Sequence, residues 1–248
     1  MRVTFVAHAT VVVEDDGHAA IFDPHFSDRL AYLFSKRRVK LPLTPEALPR
    51  PEAVLVSHSH FDHLDAPSLR RFERATPVVT ARNLRPVVGL MGRRDVRGQD
   101  WWESQKVAGF DVTAVPAFHF SGRPPWLFLR NDYQGYVLEG DKTIYFAGDT
   151  GLDNRFQEIG ERFDIDLAIL PIGAYDPPSF RRHHLSPEDA LEAMRRLKAK
   201  ALLPVHYGAF SISWEPFGEP PERMAKVAAE AGLAPRVHVI PPGSTLEI

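Results

Sequence analysis

Apolar and polar positions along this chain fall into short blocks. VTFVA, TVVVE, AAIFD, AVLVS, VTAVPAF, TIYFAG, LAILPI, ALLPV and VHVI are four to seven residues long and rich in β-branched side chains. Such blocks predict strands. Glu14-Asp-Asp-Gly17 separates two of them and predicts a turn, so the chain opens as a hairpin or meander. A helical period appears in SPEDALEAMRRLKAK, where Ser186 can cap, Pro187 suits the first turn and Asp189 completes a capping box. A second helix is expected over PPERMAKVAAEAGL, from a proline pair to near Gly232, and a shorter one over DAPSLRRFER. HFSDRLAYLFSKRRVK, residues 25–40, sets Phe26, Leu30, Leu33 and Phe34 at helical spacing before Lys36, Arg37, Arg38 and Lys40. That pattern predicts a helix, either interfacial at a membrane, a lid, or packed on the core. With no repeat, low-complexity tract or linker, residues 1–248 read as one domain.

Composition narrows the class. The chain is 44% hydrophobic and 25% charged, which supports a sizeable core. A formal net charge of −2 lacks the basic excess of a nucleic-acid binder. There is no cysteine, which removes disulfides, thiolate ligands and cysteine nucleophiles together. The N-terminal segment has no basic start or cleavage site of a signal peptide, and no run approaches the roughly 20 apolar residues of a membrane span. A soluble, cytoplasmic protein is the expectation.

One stretch departs from this ordinary profile. SHSHFDHLD, residues 57–65, crowds His58, His60, Asp62 and His63 immediately after the apolar run AVLVS. In extended backbone, residues i and i+2 share a face, so His58 and His60 can reach one cation together. A turn following them would bring Asp62 and His63 alongside. Other apolar runs end in the same residue types: VTAVPAFH at His119, TIYFAGD at Asp149 and LLPVH at His206. Ligand-bearing residues beyond strand ends converge over one rim in layered α/β folds. Seven imidazole and carboxylate ligands exceed one tetrahedral site and suit two divalent ions. Without thiolate, the donor set fits zinc first, with manganese or iron(II) also compatible.

H-x-H-x-D-H, a later single His, Gly-Asp-Thr and a final His, in this order, resemble the metallo-β-lactamase superfamily. Asp100-Trp-Trp-Glu103, His119-Phe-Ser-Gly-Arg123, Phe146-Ala-Gly-Asp-Thr-Gly151, Pro171-Ile-Gly-Ala-Tyr175, His184-Leu-Ser-Pro-Glu188 and His206-Tyr-Gly-Ala-Phe210 further resemble its N-acyl-phosphatidylethanolamine phospholipase D branch. The ascorbate-phosphate lactonase branch shares part of that set. Matching segments run from His8-Ala-Thr10 to Pro220-Pro-Glu-Arg223. Ala7-His-Ala replaces the relatives' usual Gly-His-Ala, and the span after Arg123 is short and different. The resemblance implies an αββα four-layer sandwich, with two mixed sheets packed face to face and helices outside. It also implies one metal on His58, His60 and His119, a second on Asp62, His63 and His206, and Asp149 bridging. His60 stands where redox di-iron relatives carry a carboxylate, which favours hydrolysis.

The chemistry expected of such a centre is attack by a metal-bound hydroxide on an ester, with Asp62 and Asp149 serving catalysis as well as ligation. Two divalent ions, two carboxylates and a hydroxide leave about one positive charge, which favours a small anionic ester, a lipid among the candidates. A phosphodiesterase of the phospholipase D type leads, followed by a lactonase or phosphate-ester hydrolase. An RNA- or DNA-processing nuclease or a non-catalytic metal protein fits less well. His184, on a loop entering the Ser186-capped helix, is the candidate for a non-ligand proton donor. His8 and Asp23 resemble residues that orient ligands. RPPWLFLR, residues 123–130, is a candidate lining for an acyl or aromatic pocket.

Overall fold

The structure is a computed structural model, and it describes residues 1–32, 35–120, 122–123 and 132–248. Its strands are β1 (Arg2–Ala7), β2 (Thr10–Asp15), β3 (His18–Phe22), β4 (Ala53–Val56), β5 (Val78–Ala81), β6 (Val96–Gln99) and β7 (Ser104–Val107). They continue with β8 (Phe110–Val115), β9 (Gly135–Glu139), β10 (Thr143–Phe146), β11 (Leu167–Pro171), β12 (Ala201–Val205) and β13 (Ser244–Glu247). The α-helices are α1 (Ala66–Leu69), α2 (Arg85–Leu90), α3 (Arg155–Arg162), α4 (Pro187–Leu197) and α5 (Glu219–Glu230).

Two mixed sheets result. The 7-stranded sheet runs β13-β1-β2-β3-β4-β5-β6, and the 6-stranded sheet runs β12-β11-β10-β9-β8-β7. The first is antiparallel from β13 to β3 and parallel from β3 to β6. The second is antiparallel from β7 to β10 and parallel from β10 to β12. Alternation along the strands explains why their sequences look apolar throughout. Val11 and Val13, Phe22 and Leu55 face the other sheet, while Val12, Ile21, Val54 and Val56 join a second apolar layer with Leu69, Leu84 and Val88. Both faces of these strands are therefore buried. Phe22 stacks on Phe146 of the opposite sheet with centroids 4.5 Å apart. Helices α3 and α4 cover the outer face of the second sheet through Phe156, Ile159, Leu191 and Met194. The expected αββα sandwich is the observed architecture.

Local expectations fared unevenly. The hairpin at Asp16-Gly17 and helices α4 and α5 form, and Ser186 and Asp189 exchange the capping-box bonds. DAPSLRRFER is helical for one turn only, Ala66–Leu69. Past that turn the carbonyls of Leu69, Phe72, Glu73 and Thr76 accept from the Arg93 guanidinium, which holds the segment in a non-helical path. The helix expected over 25–40 is not found among the described residues of that stretch, whose helical content is the 3₁₀ turn Leu30–Tyr32; Leu33 and Phe34 lie outside them. Instead the chain doubles back, with Leu30 N bonded to Ser35 O and Arg37 N to Asp28 O. Arg37 leaves the basic cluster and turns inward onto the carbonyls of His25 and Ser27. VHVI makes a bridge at Val237 to Leu202 rather than a strand. No helix among the described residues is long and apolar enough to cross a membrane.

Tyr136 ties the sheets at the functional rim. Its buried hydroxyl donates to Val56 O at 2.7 Å, the last residue of β4, and lies 3.2 Å from Val79 O. Tyr136→Phe should lower stability by about 1–3 kcal/mol, because buried carbonyls lose their donor. Urea unfolding checks this, and a midpoint equal to wild type would contradict it.

Candidate metal centre

The site sits where strands from both sheets end on one rim. His58 follows β4, His119 lies beyond β8, Asp149 follows β10 and His206 follows β12. Three of its residues begin immediately past a strand with left-handed backbone: His8 (φ 56°), Asp23 (φ 40°) and His206 (φ 67°). Such backbone costs about 1–3 kcal/mol per residue in non-glycine positions, and it turns each side chain over the rim. Backbone bonds hold these turns, with His206 N donating to His8 O at 2.7 Å and Asp23 N to Leu55 O at 2.9 Å. Gly148 (φ 61°) supplies another such turn before Asp149, and a Cβ there would lie 2.6 Å from the Ser57 Cβ. The close approach of Gly148 brings Asp149 against the 57–63 segment.

Two groups of donor atoms result. His60 Nδ1 lies 3.0 Å from both His58 Nε2 and His119 Nε2. Nitrogens on a tetrahedral zinc stand about 3.3 Å apart, given Zn–N bonds of about 2.0–2.1 Å, so these rings are near a chelating arrangement. In the second group, Asp62 Oδ2 is 3.3 Å from His206 Nε2 and 3.5 Å from His63 Nε2. Asp149 reaches both. Its Oδ2 is 3.3 Å from His63 Nε2, 3.9 Å from His58 Nε2 and 4.0 Å from His119 Nε2, and its Oδ1 is 3.3 Å from His206 Nε2.

Hydrogen bonds behind the rings decide which nitrogens carry lone pairs into this space. Ser57 gives its hydroxyl proton to Asp23 Oδ2 at 2.6 Å, so at 2.9 Å it accepts from His58 Nδ1. His63 Nδ1 donates to the same carboxylate at 2.7 Å, and His119 Nδ1 to His183 O at 3.0 Å. Each ring therefore presents an unprotonated Nε2 inward when neutral. His8 Nε2 donates to Asp62 Oδ2 at 2.9 Å. Buried His63 Nε2, His60 Nε2 and Asp149 Oδ1 have no hydrogen-bond partner. Inward lone pairs, two carboxylates and the unpartnered buried His63 Nε2 and Asp149 Oδ1 fit a divalent cation.

The structure thus brings together His58, His60, Asp62, His63, His119, Asp149 and His206, with His8 and Asp23 bonded to Asp62 and His63. His184 is also there, its Nε2 3.5 Å from Asp149 Oδ2 and its Nδ1 donating to Phe180 O at 3.1 Å. Sequence reasoning missed Ser57 and the His183 carbonyl. Ser57 adjoins the motif and had a hydroxyl to notice, whereas a backbone carbonyl gives no sequence signal. Phe120, 45% exposed, lies over His60 with centroids 4.4 Å apart and forms part of the mouth. The proposed pocket lining of 123–130 falls outside the described residues apart from Arg123.

Comparison with known proteins shows the family. A family model for the beta-lactamase superfamily domain matches residues 18–207, and the chain belongs to that superfamily as a metal-dependent hydrolase. It is 32% identical over 244 residues to the mitochondrial N-acyl-phosphatidylethanolamine-hydrolyzing phospholipase D of Saccharomyces cerevisiae, a match that covers 93% of this chain and 52% of the relative. The chain thus spans about half that protein's length. It is 30% identical over 251 residues to a UPF0173 metal-dependent hydrolase of Methanopyrus kandleri, covering 100% of both. Among solved structures, the metallo hydrolase Igni18 of Ignicoccus hospitalis superposes with a TM-score of 0.74 at 25% identity, covering 100% of this chain and 98% of that one.

Without metal, these side chains titrate far from their usual ranges. Burial, reinforced by neighbouring rings, holds His58 and His119 well below 6.5, His60 at about 4 and His8 at about 3. Burial also pulls on His206, but Asp149 and Asp62 overcome it and hold that ring at about 9. The low group binds protons in the unfolded chain below 6.5 but not in the fold until near 4, so stability falls as pH drops through that window. His206 stabilises the fold fully below 6.5, and that contribution is lost as pH rises through about 9. Chelator-treated protein should therefore show its highest unfolding midpoint near pH 6.5 and decline on both sides. A midpoint unchanged from pH 4 to 9 would contradict these assignments.

Proposed function

We propose that this chain is a dinuclear hydrolase of anionic esters, acting as a phosphodiesterase of the phospholipase D type. The observation that carries the reading is the position of Asp149 between the two donor groups, with its oxygens 3.3 Å from His63 Nε2 and His206 Nε2 on one side and its Oδ2 3.9 and 4.0 Å from His58 Nε2 and His119 Nε2 on the other. His58, His60 and His119 would hold one ion, Asp62, His63 and His206 the other, with Asp149 shared. Zinc suits these donors first. When bound, such ions acidify water into a nucleophile and polarise the ester oxygen.

The chain's own groups account for the rest. Asp23 and Ser57 hold His63 and His58 in one tautomer, so no ring must reorient during turnover. His8 fixes one oxygen of Asp62. His184 is held at Nδ1 by the Phe180 carbonyl, which leaves Nε2 facing the site. Protonated there, it can donate to the oxygen of a departing alcohol. The excess of about one positive charge across ions, carboxylates and nucleophile favours an anionic substrate. The yeast relative, named for hydrolysing N-acyl-phosphatidylethanolamine, supports the phosphodiester class and admits a lipid substrate.

Chelation should abolish hydrolysis of bis(p-nitrophenyl) phosphate, and zinc or manganese should restore it. Full activity of the metal-free protein would end the proposal. In a parallel elemental analysis, Asp149→Ala should lose at least one ion per chain; unchanged stoichiometry would refute the shared role. A panel of phosphodiesters, phosphomonoesters and lactones ranks the ester classes, with a lactone preference overturning the phosphodiesterase assignment.

His184→Gln should retain both ions and lower kcat about 100-fold or more, the usual scale for a lost acid–base group. Wild-type turnover in that variant would give His184 a structural role only.

A further inference from the structure

The two loops that supply His60 and His119 come from different sheets, yet their ring nitrogens stand 3.0 Å apart. A hydrogen bond between these two nitrogens is lost once both turn their lone pairs to an ion, so a contact outside the rings is needed to fasten the loops. Arg123 is placed to do this. It follows His119 by four residues, and its Nε donates to Ser59 O while its Nη2 donates to Leu64 O and lies 3.5 Å from His60 O. Those carbonyls bracket the whole ligand turn. Inside the turn, His63 N and Leu64 N both donate to His60 O, at 3.1 and 2.9 Å. The Arg123 guanidinium also lies over the Phe61 ring, 4.4 Å from its centroid, and Phe61 packs against Leu30, Ala209 and Phe210. One planar cation thus joins the His119 arm, the 59–64 turn and an apolar layer beneath it. A lysine cannot reproduce this, because it offers a single point of donation where the guanidinium reaches separated carbonyls along one rigid plane.

We propose that Arg123 is a positioning residue that clamps the His119 arm to the 59–64 turn and presets the metal-binding rings, without holding the substrate. The inference rests on the reading that these rings ligate metal. Its Nε and Nη2 donors are turned toward backbone carbonyls and away from a substrate phosphate, which separates this role from that of a substrate-binding arginine. The prediction follows from that difference. Arg123→Gln and Arg123→Lys should both fold, but bind zinc about 10- to 100-fold more weakly in competition with a chelating dye, the scale expected when support behind a metal ligand is lost.

The cobalt-substituted variants should show a shifted visible absorption spectrum, which reports ligand geometry independently of activity. At saturating zinc, KM for bis(p-nitrophenyl) phosphate should remain within twofold of wild type. Wild-type zinc affinity and cobalt spectrum in both variants would overturn the clamp. A tenfold rise in KM at unchanged metal affinity would overturn it in favour of substrate binding. Loss of the fold in both variants, judged by circular dichroism at saturating zinc, would overturn it in favour of a general structural role. If the wild-type chain itself takes up no zinc, the metal reading fails first, and the clamp with it.

Discussion

Buried imidazole rings cannot point their lone pairs into a common space unless positive charge occupies it or the fold forces them together. Here the fold does the forcing. The Asp23 carboxylate and Ser57 hydroxyl, with the His183 carbonyl, accept from the outer N–H groups of His58, His63 and His119, so each inner nitrogen is an acceptor when its ring is neutral. In the metal-free protein the carboxylates compensate by keeping protons on His63 and His206, both raised above the ordinary histidine range despite burial. A divalent cation held by these residues would take the place of those protons, which would couple metal uptake to proton release.

The sandwich exists in large part to place that arrangement. The central strands of both sheets are buried on both faces, which makes the core rigid and leaves function to the strand ends. Left-handed turns at His8, Asp23 and His206 carry backbone strain that the sheets and cross-rim hydrogen bonds sustain. Close packing of Gly148 on Ser57 then brings the second sheet's aspartate against the first sheet's histidines. The chain belongs to the beta-lactamase superfamily, and the metal-dependent hydrolysis proposed for it rests on this convergence.

Much of this was legible in sequence because apolar runs ended in His or Asp. His58, His119, Asp149 and His206 each mark the point where a buried strand reaches the rim. What was not legible depended on tertiary partners. Nothing in the sequence shows that Arg93 would take carbonyls from the turn after Leu69, or that Arg37 would fold inward to His25. The apolar spacing of Phe26 and Leu30 looked helical, but a loop packed on the core produces the same i, i+4 pattern. Edge strands β6 and β7, VRGQ and SQKV, are polar and half exposed, so hydrophobic patterning passed over them.

The proposed dinuclear centre requires two ions to share Asp149. Electron paramagnetic resonance of the fully manganese-loaded protein measures this directly, because ions bridged by one carboxylate couple magnetically. The expected spectrum is that of an exchange-coupled pair. The spectrum of isolated, uncoupled manganese ions at full loading would contradict it.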